Sequence, residues 1–159
     1  MFDLKIINAI IIDGTGSSRF FGEIGINGNF IVERGKKLGA SKSVYDAKGH
    51  ILCPGIIDTH THYDAQITWD NSASPSLDLG VTTALIGNCG FTIAPCKPEH
   101  RDLNMLNLTK VEGMPYDTLK KGIDWSYQSY SEYLNLLERK KLAINICSYI
   151  GHSATRIWS

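Results

Sequence analysis

The 159-residue chain has no apolar run near the roughly 20 residues that a membrane-crossing helix needs. It has no net charge, with 16 basic residues set against 16 acidic ones. That balance gives neither nucleic acid nor an anionic membrane an electrostatic handle, so neither is expected as a partner. The opening Met1-Phe2-Asp3-Leu4-Lys5 lacks the basic-then-apolar pattern of a secretory signal, and the protein is read as cytoplasmic. Its four cysteines, Cys53, Cys89, Cys96 and Cys147, show neither close pairing nor zinc-finger spacing. In a cytosolic chain they read as buried thiols or a single metal ligand rather than disulfides. Internal repeats and low-complexity tracts are absent. What remains is ordinary for a folded domain: 43% hydrophobic and 20% charged residues, at a length that can bury a core.

Against that background one stretch stands out, Cys53-Pro-Gly-Ile-Ile-Asp-Thr-His-Thr-His-Tyr-Asp64. A Pro-Gly turn leads into a short apolar run, which ends in polar side chains. His60 and His62 are two residues apart. On a strand, such residues face the same side. Two neutral imidazoles at a strand end can then serve one divalent metal. A bare His-x-His pair is a common coincidence; this setting is not.

Residues 1–52 read as short strands. Leu4 to Ile12 are mostly apolar or β-branched, and Asp13-Gly14 turns the chain. Asn27-Gly28, between Glu23–Ile26 and Phe30–Val32, predicts a type I′ hairpin. Lys48-Gly49 predicts another tight turn, between 44–46 and 50–52. A run of hairpins suggests a small β-sandwich whose edges need partners.

From residue 53 the rhythm becomes strand, connection, strand. A short helix is expected over 75–79, ended by Gly80, and a buried strand over 81–88. Pro98 opens a helix with an apolar stripe of Leu103, Leu106 and Val111, stopped by Gly113 and Pro115. Ser129-x-x-Glu132 is a capping-box pattern, ahead of a face of Tyr130, Tyr133, Leu134 and Leu137. Arg139, Lys140 and Lys141 suit that helix's C-terminal end. Leu142–Tyr149 reads as a third strand, so the order predicts parallel strands with right-handed crossovers.

Cys89, in Gly87-Asn88-Cys89-Gly90, follows the second strand. In a parallel arrangement, residues after each strand collect on one face, which brings Cys89 toward His60 and His62. On position alone it is equally a zinc-binding thiolate or a small residue in a glycine-rich turn. Cys53, Cys96 and Cys147 read as packing residues, and His50 and His100 as exposed. Asp58 is expected to face away from the histidines and to fix a loop or orient a partner. Tyr63 and Asp64 could line the mouth of a pocket, and His152, just after strand three, could border it.

Pro-Gly-x-Ile-Asp-x-His-x-His resembles the amidohydrolase superfamily, metal-dependent hydrolases on a TIM-type barrel. The chain also carries His-Thr-His-Tyr-Asp-Ala-Gln, Gly-Val-Thr-Thr, Gly-Asn-Cys-Gly-Phe, Ala-Pro-Cys, Glu112-Gly-Met-Pro115 and Gly151-His-Ser-Ala-Thr-Arg156. With these the whole chain is similar to the N-acyl-D-amino-acid deacylase (D-aminoacylase) branch. The resemblance implies an α/β fold: part of a small β-sandwich over 1–52, then the first strands and helices of a (β/α) barrel over 53–159. It implies Zn2+ as cofactor, with His60, His62 and Cys89 as metal ligands. The substrate it implies is a small molecule, an N-acyl-D-amino acid, with Tyr63 and His152 as candidate contacts. The catalytic Asp and two further His ligands of that family lie on later strands, so no catalytic residue is expected within 1–159. A full barrel takes about 250 residues and only roughly 100 follow Cys53, so the chain is read as an N-terminal fragment. Two other readings are a non-catalytic remnant or interaction module and a cyclic amidohydrolase such as a hydantoinase. Cys89 speaks against the latter, whose members use a carboxylated lysine. Related dihydroorotases carry an Arg where Asp64 stands, which speaks against that activity.

Overall fold

A computed structural model describes residues 1–159, which divide into two compact units, Met1–Pro54 and Gly55–Ser159.

In the first unit, β1 (Phe2–Ile11) is the central strand of a five-stranded sheet. β2 (Phe20–Asn27) pairs antiparallel with it, and β3 (Phe30–Gly35) antiparallel with β2. Asn27 pairs with Phe30, so the hairpin loop is Gly28-Asn29, one residue later than expected. Of its two residues only Gly28 has a positive φ, +55°. That is the glycine-first pattern of a type II′ turn, not the predicted type I′.

The second expected hairpin is absent. β4 (Ser41–Asp46) and β5 (Ile51–Leu52) both run parallel to β1, one after the other along one edge. The left-handed residues Lys48 and Gly49 jog the chain without reversing it, and a matching jog at Asn8 (φ +56°) keeps β1 in step. Ala47 N–H donates to Ile7 O and Gly49 N–H to Asn8 O across the step. Residues 1–52 thus supply one sheet, and the second sheet of a sandwich is not among them. Its inner face buries Ala9, Ile11, Ile24 and Ala47, at roughly 1.5–3 kcal/mol for each large aliphatic side chain. The same face holds an apolar cleft of about 450 Å³, lined by residues such as Ile6, Ile26, Leu52 and Pro54.

In the second unit, β6 (Ile56–Asp58), β7 (Val81–Ile86) and β8 (Asn145–Ser148) form a parallel sheet in that order. Turns of 3-10 helix at Gln66–Thr68 and Leu77–Leu79 join the first two strands, and Gly80 (φ +91°) ends the second turn as expected. Between β7 and β8 lie α1 (Arg101–Glu112), α2 (Tyr116–Gly122) and α3 (Tyr130–Arg139); α4 (His152–Trp158) follows β8. Ala84 and Ile86 of the middle strand are fully buried and pack with Ile67, Ile93, Leu119 and Tyr133.

The capping box of α3 is formed as predicted: Ser129 Oγ accepts from Glu132 N–H, and the Glu132 carboxylate accepts from Ser129 N–H. Two buried faces differ from expectation. On α1 the core side is Asn104, Met105 and Leu108, while Leu103, Leu106 and Val111 are exposed. On α3 the buried residues are Tyr133, Leu136 and Leu137, with Leu134 outside. No helix is long and apolar enough to cross a membrane.

Candidate metal centre

Because β6, β7 and β8 are parallel, the segments that follow them emerge at one edge of the sheet. These segments carry His60 and His62, Cys89, and His152.

β6 stops at Asp58, so the histidines stand on a loop rather than on the strand itself. Two anchors shape that loop. Asp58 Oδ1 accepts from His60 N–H at 3.1 Å, the loop-fixing role expected of it. Thr61 N–H and Oγ–H both donate to Leu85 O, at 3.1 and 2.8 Å. Thr61 is therefore pinned and buried against β7, and the residues flanking it turn the other way together. The two imidazoles lie 5.3 Å apart, tilted at 60°.

Cys89 is presented by a turn that few sequences could make. Gly87 has φ +83°, and a Cβ there would run into the Tyr149 carbonyl. Asn88 Nδ2 donates to Leu85 O at 2.7 Å and Thr61 O at 3.2 Å, tying this turn to the histidine loop. Cys89 itself is left-handed, φ +55°, a conformation that costs a non-glycine residue on the order of 1–2 kcal/mol. Its exposed Sγ lies 3.3 Å from His60 Nε2. One donor atom from each of His60, His62 and Cys89 falls within 4.8 Å of the others. Donors sharing one tetrahedral zinc, at about 2.3 Å for sulfur and 2.0–2.1 Å for nitrogen, sit roughly 3.3–3.6 Å apart. The residues present therefore fit such an ion after a small convergence.

Beneath the site lies Asp64, 2% exposed rather than at a mouth. Its Oδ2 accepts from Gly87 N–H at 3.1 Å, while its buried Oδ1 has no partner. Burial pushes its carboxyl up to about 7; the Gly87 hydrogen bond opposes the rise and the nearby Glu112 charge adds to it. The Tyr133 hydroxyl donates to Asp64 O at 2.8 Å and so ties α3 to the same loop. Glu112, the last residue of α1, brings Oε1 to 3.1 Å from His62 Nδ1.

The remaining candidates divide. Tyr63 gives its hydroxyl to a 2.6 Å hydrogen bond with Ser76 and packs on the core. His152 is exposed, beside the Gly90 backbone, and lines a cleft of about 390 Å³ with Phe91, Asn107 and Arg156. Cys96 is buried and accepts from Asn104 Nδ2, as fits a packing residue. Cys53 and Cys147 are exposed instead. His50 is exposed as expected, whereas His100 is half-buried with its Nδ1 unpartnered. The site's neighbour that the residue patterns gave no role is Glu112. Its signal in the sequence was an acidic residue just before the Gly113 that ends a helix, where the dipole disfavours one.

No family model matches the chain. Among solved structures it superposes on a D-aminoacylase that defines a subset of the amidohydrolases, with TM-score 0.79 and 28% identity over 98% of this chain and 31% of that one. It likewise matches the N-acyl-D-glutamate deacylase of Bordetella bronchiseptica, solved with zinc and a phosphonate inhibitor, at TM-score 0.71 and 28% identity over 98% of this chain and 30% of the other. The mixed α/β fold thus matches the corresponding third of these two enzymes. Among curated sequences, the D-aminoacylase of Alcaligenes xylosoxydans xylosoxydans is 29% identical over 156 residues, which is 98% of this chain and 30% of the relative. The chain is similar to these N-acyl-D-amino-acid deacylases over nearly its whole length, and it spans about a third of theirs.

Proposed function

We propose that residues 1–159 supply the N-terminal share of a zinc-dependent N-acyl-D-amino-acid deacylase: part of its β-domain and the first three strands of its (β/α) barrel. The observation that carries this reading is the convergence of His60, His62 and Cys89 within 4.8 Å, from two separate loops at one sheet edge. The ligand type of two relatives' active sites supports the metal: one D-aminoacylase is described with a binuclear metal centre, and the N-acyl-D-glutamate deacylase was solved with zinc.

In this reading the two imidazoles and the Cys89 thiolate would hold the ion. Zinc bound there would supply an acidified water, with a pKa of about 7, and polarisation of a carbonyl. The chain's own residues set the frame. Thr61 and Asn88 fix the two ligand loops to each other, Asp64 fixes the Gly87 turn, and Tyr133 fixes Asp64. His152 borders the same edge and is the candidate substrate contact; the Tyr63 hydroxyl, already bound to Ser76, is the weaker one. Residues 1–159 are assigned no proton-transfer step. The products are a carboxylate and a free D-amino acid.

The test is metal binding by the chain. Co(II) should give a thiolate charge-transfer band, and zinc should be retained through dialysis. Cys89→Ala should lose the band and weaken binding by more than about 100-fold, beyond what a change outside the ligands costs. Wild-type zinc content in that variant would remove Cys89 from the site. Alone, the chain is expected to bind metal without hydrolysing N-acyl-D-amino acids, and turnover by it would overturn the partial-site reading.

A further inference from the structure

Glu112 stands where local physics argues against a carboxylate. It is the last residue of α1, just before the left-handed Gly113 (φ +68°), so it meets the negative end of the helix dipole. Its side chain is only 16% exposed. A residue that breaks local preferences in this way points to a role elsewhere.

The one cationic or donor group within ion-pair reach of its carboxylate is His62 Nδ1, at 3.1 Å. The relation is mutual, since that Nδ1 is buried and forms no aligned hydrogen bond with any group. The separation is within hydrogen-bond length, although the two groups do not yet meet the alignment of a hydrogen bond. An imidazole whose Nδ1–H faces a carboxylate keeps its Nε2 lone pair free for a metal, and the carboxylate fixes the ring plane.

We propose that Glu112 is a positioning residue for the metal centre. It holds His62 in the Nδ1-protonated tautomer and aims Nε2 at the ion. This rests on the reading of His60, His62 and Cys89 as metal ligands.

The experiment uses the 159-residue chain and its Glu112→Gln and Glu112→Ala variants. Zinc affinity is measured by competition with a chromophoric chelator, the ligand field by the Co(II) visible spectrum, and metal-free stability by thermal melting. Glu112→Ala should bind zinc about 10–100-fold more weakly, the usual cost of losing such a partner. Its Co(II) d–d bands should shift while the Cys89 thiolate band persists. Glu112→Gln, whose amide oxygen still accepts from Nδ1–H, should recover much of the affinity. Metal-free melting should not fall in either variant, because an unfavourable charge is removed. Equal affinity and identical Co(II) spectra in all three proteins would overturn the role and leave the metal centre standing. So would an affinity loss that tracks a fall in melting temperature with no recovery in Glu112→Gln. A wild-type chain that gives no thiolate band would instead overturn the metal centre, and this role with it.

Discussion

Cys89 shows how much one residue's backbone can decide. The thiol reaches His60 because three successive positions are unusual: Gly87 is left-handed, Asn88 bridges two carbonyls, and Cys89 is left-handed in its turn. Gly87 is the position that tolerates least, since its φ is +83° and the Tyr149 carbonyl oxygen occupies the space of a Cβ. Gly87→Ala is expected to cost about 2 kcal/mol or more in stability, from the left-handed penalty plus the clash. It should also displace Cys89 and weaken zinc binding. Chemical denaturation and chelator competition on the same variant measure both effects. At this scale the sequence was informative about identity and poor about placement. His60, His62 and Cys89 were legible as ligand types near strand ends. Asp64 was not legible as a buried support, because nothing in Tyr63-Asp64 says which of the two side chains turns inward.

Among the elements, local signals and tertiary choices part company. The Ser129–Glu132 capping box was readable because both partners lie within one turn, and it is formed. α2 and α4 were missed, although Asp117 and Lys120-Lys121 at opposite ends of α2 suit a helix dipole. The apolar face of α1 was misjudged for a different reason. The helix carries apolar residues on two sides, and periodicity cannot choose between them. Packing of Met105 and Leu108, with Asn104 bonded to Cys96, chose.

Within the segment between β6 and β7, one carboxylate gathers four hydrogen bonds. Asp70 accepts from Gln66 Nε2, Ser72 Oγ, Ser72 N–H and Ser74 N–H, at 2.7–3.0 Å. Partial burial pushes its carboxyl up, but these four bonds outweigh that and hold it at about 2, below the usual carboxylate range. A group depressed on folding stabilises the protein above its unfolded pKa and loses that contribution as pH falls through the folded value. Asp70→Asn should therefore be less stable by about 1–2 kcal/mol at neutral pH. The gap to wild type should close as pH drops from about 4 toward 2. Thermal melts of both proteins across that range check it, and a gap that stays constant would show the charge is not what matters.

For the whole molecule, the distribution of apolar surface matters most. Ile56 and Ile57 of β6 are more than half exposed, as are Tyr149 and Ile150 just after β8. In the sheet unit, Phe30, Ile31 and Val32 of β3 are exposed as well. Apolar strand surface of this kind invites pairing with other chains. The chain by itself is expected to self-associate into soluble oligomers, seen by light scattering. Lysine at Ile57 and at Ile31 should reduce their size. A monomer with a sharp, concentration-independent melt would contradict this.

What the amino-acid sequence determined by itself is whatever depends on near neighbours: the strand-forming runs, the capping box, the Pro-Gly entry to the histidines, and the types of atom available to a metal. Tertiary structure alone decided that β4 and β5 run parallel to β1, which face of α1 is buried, that Asp64 lies under the site, and that Glu112 meets His62. Each of these joins residues far apart in the chain. Such contacts are selected by packing and by which buried polar atoms find partners, and no local pattern encodes either.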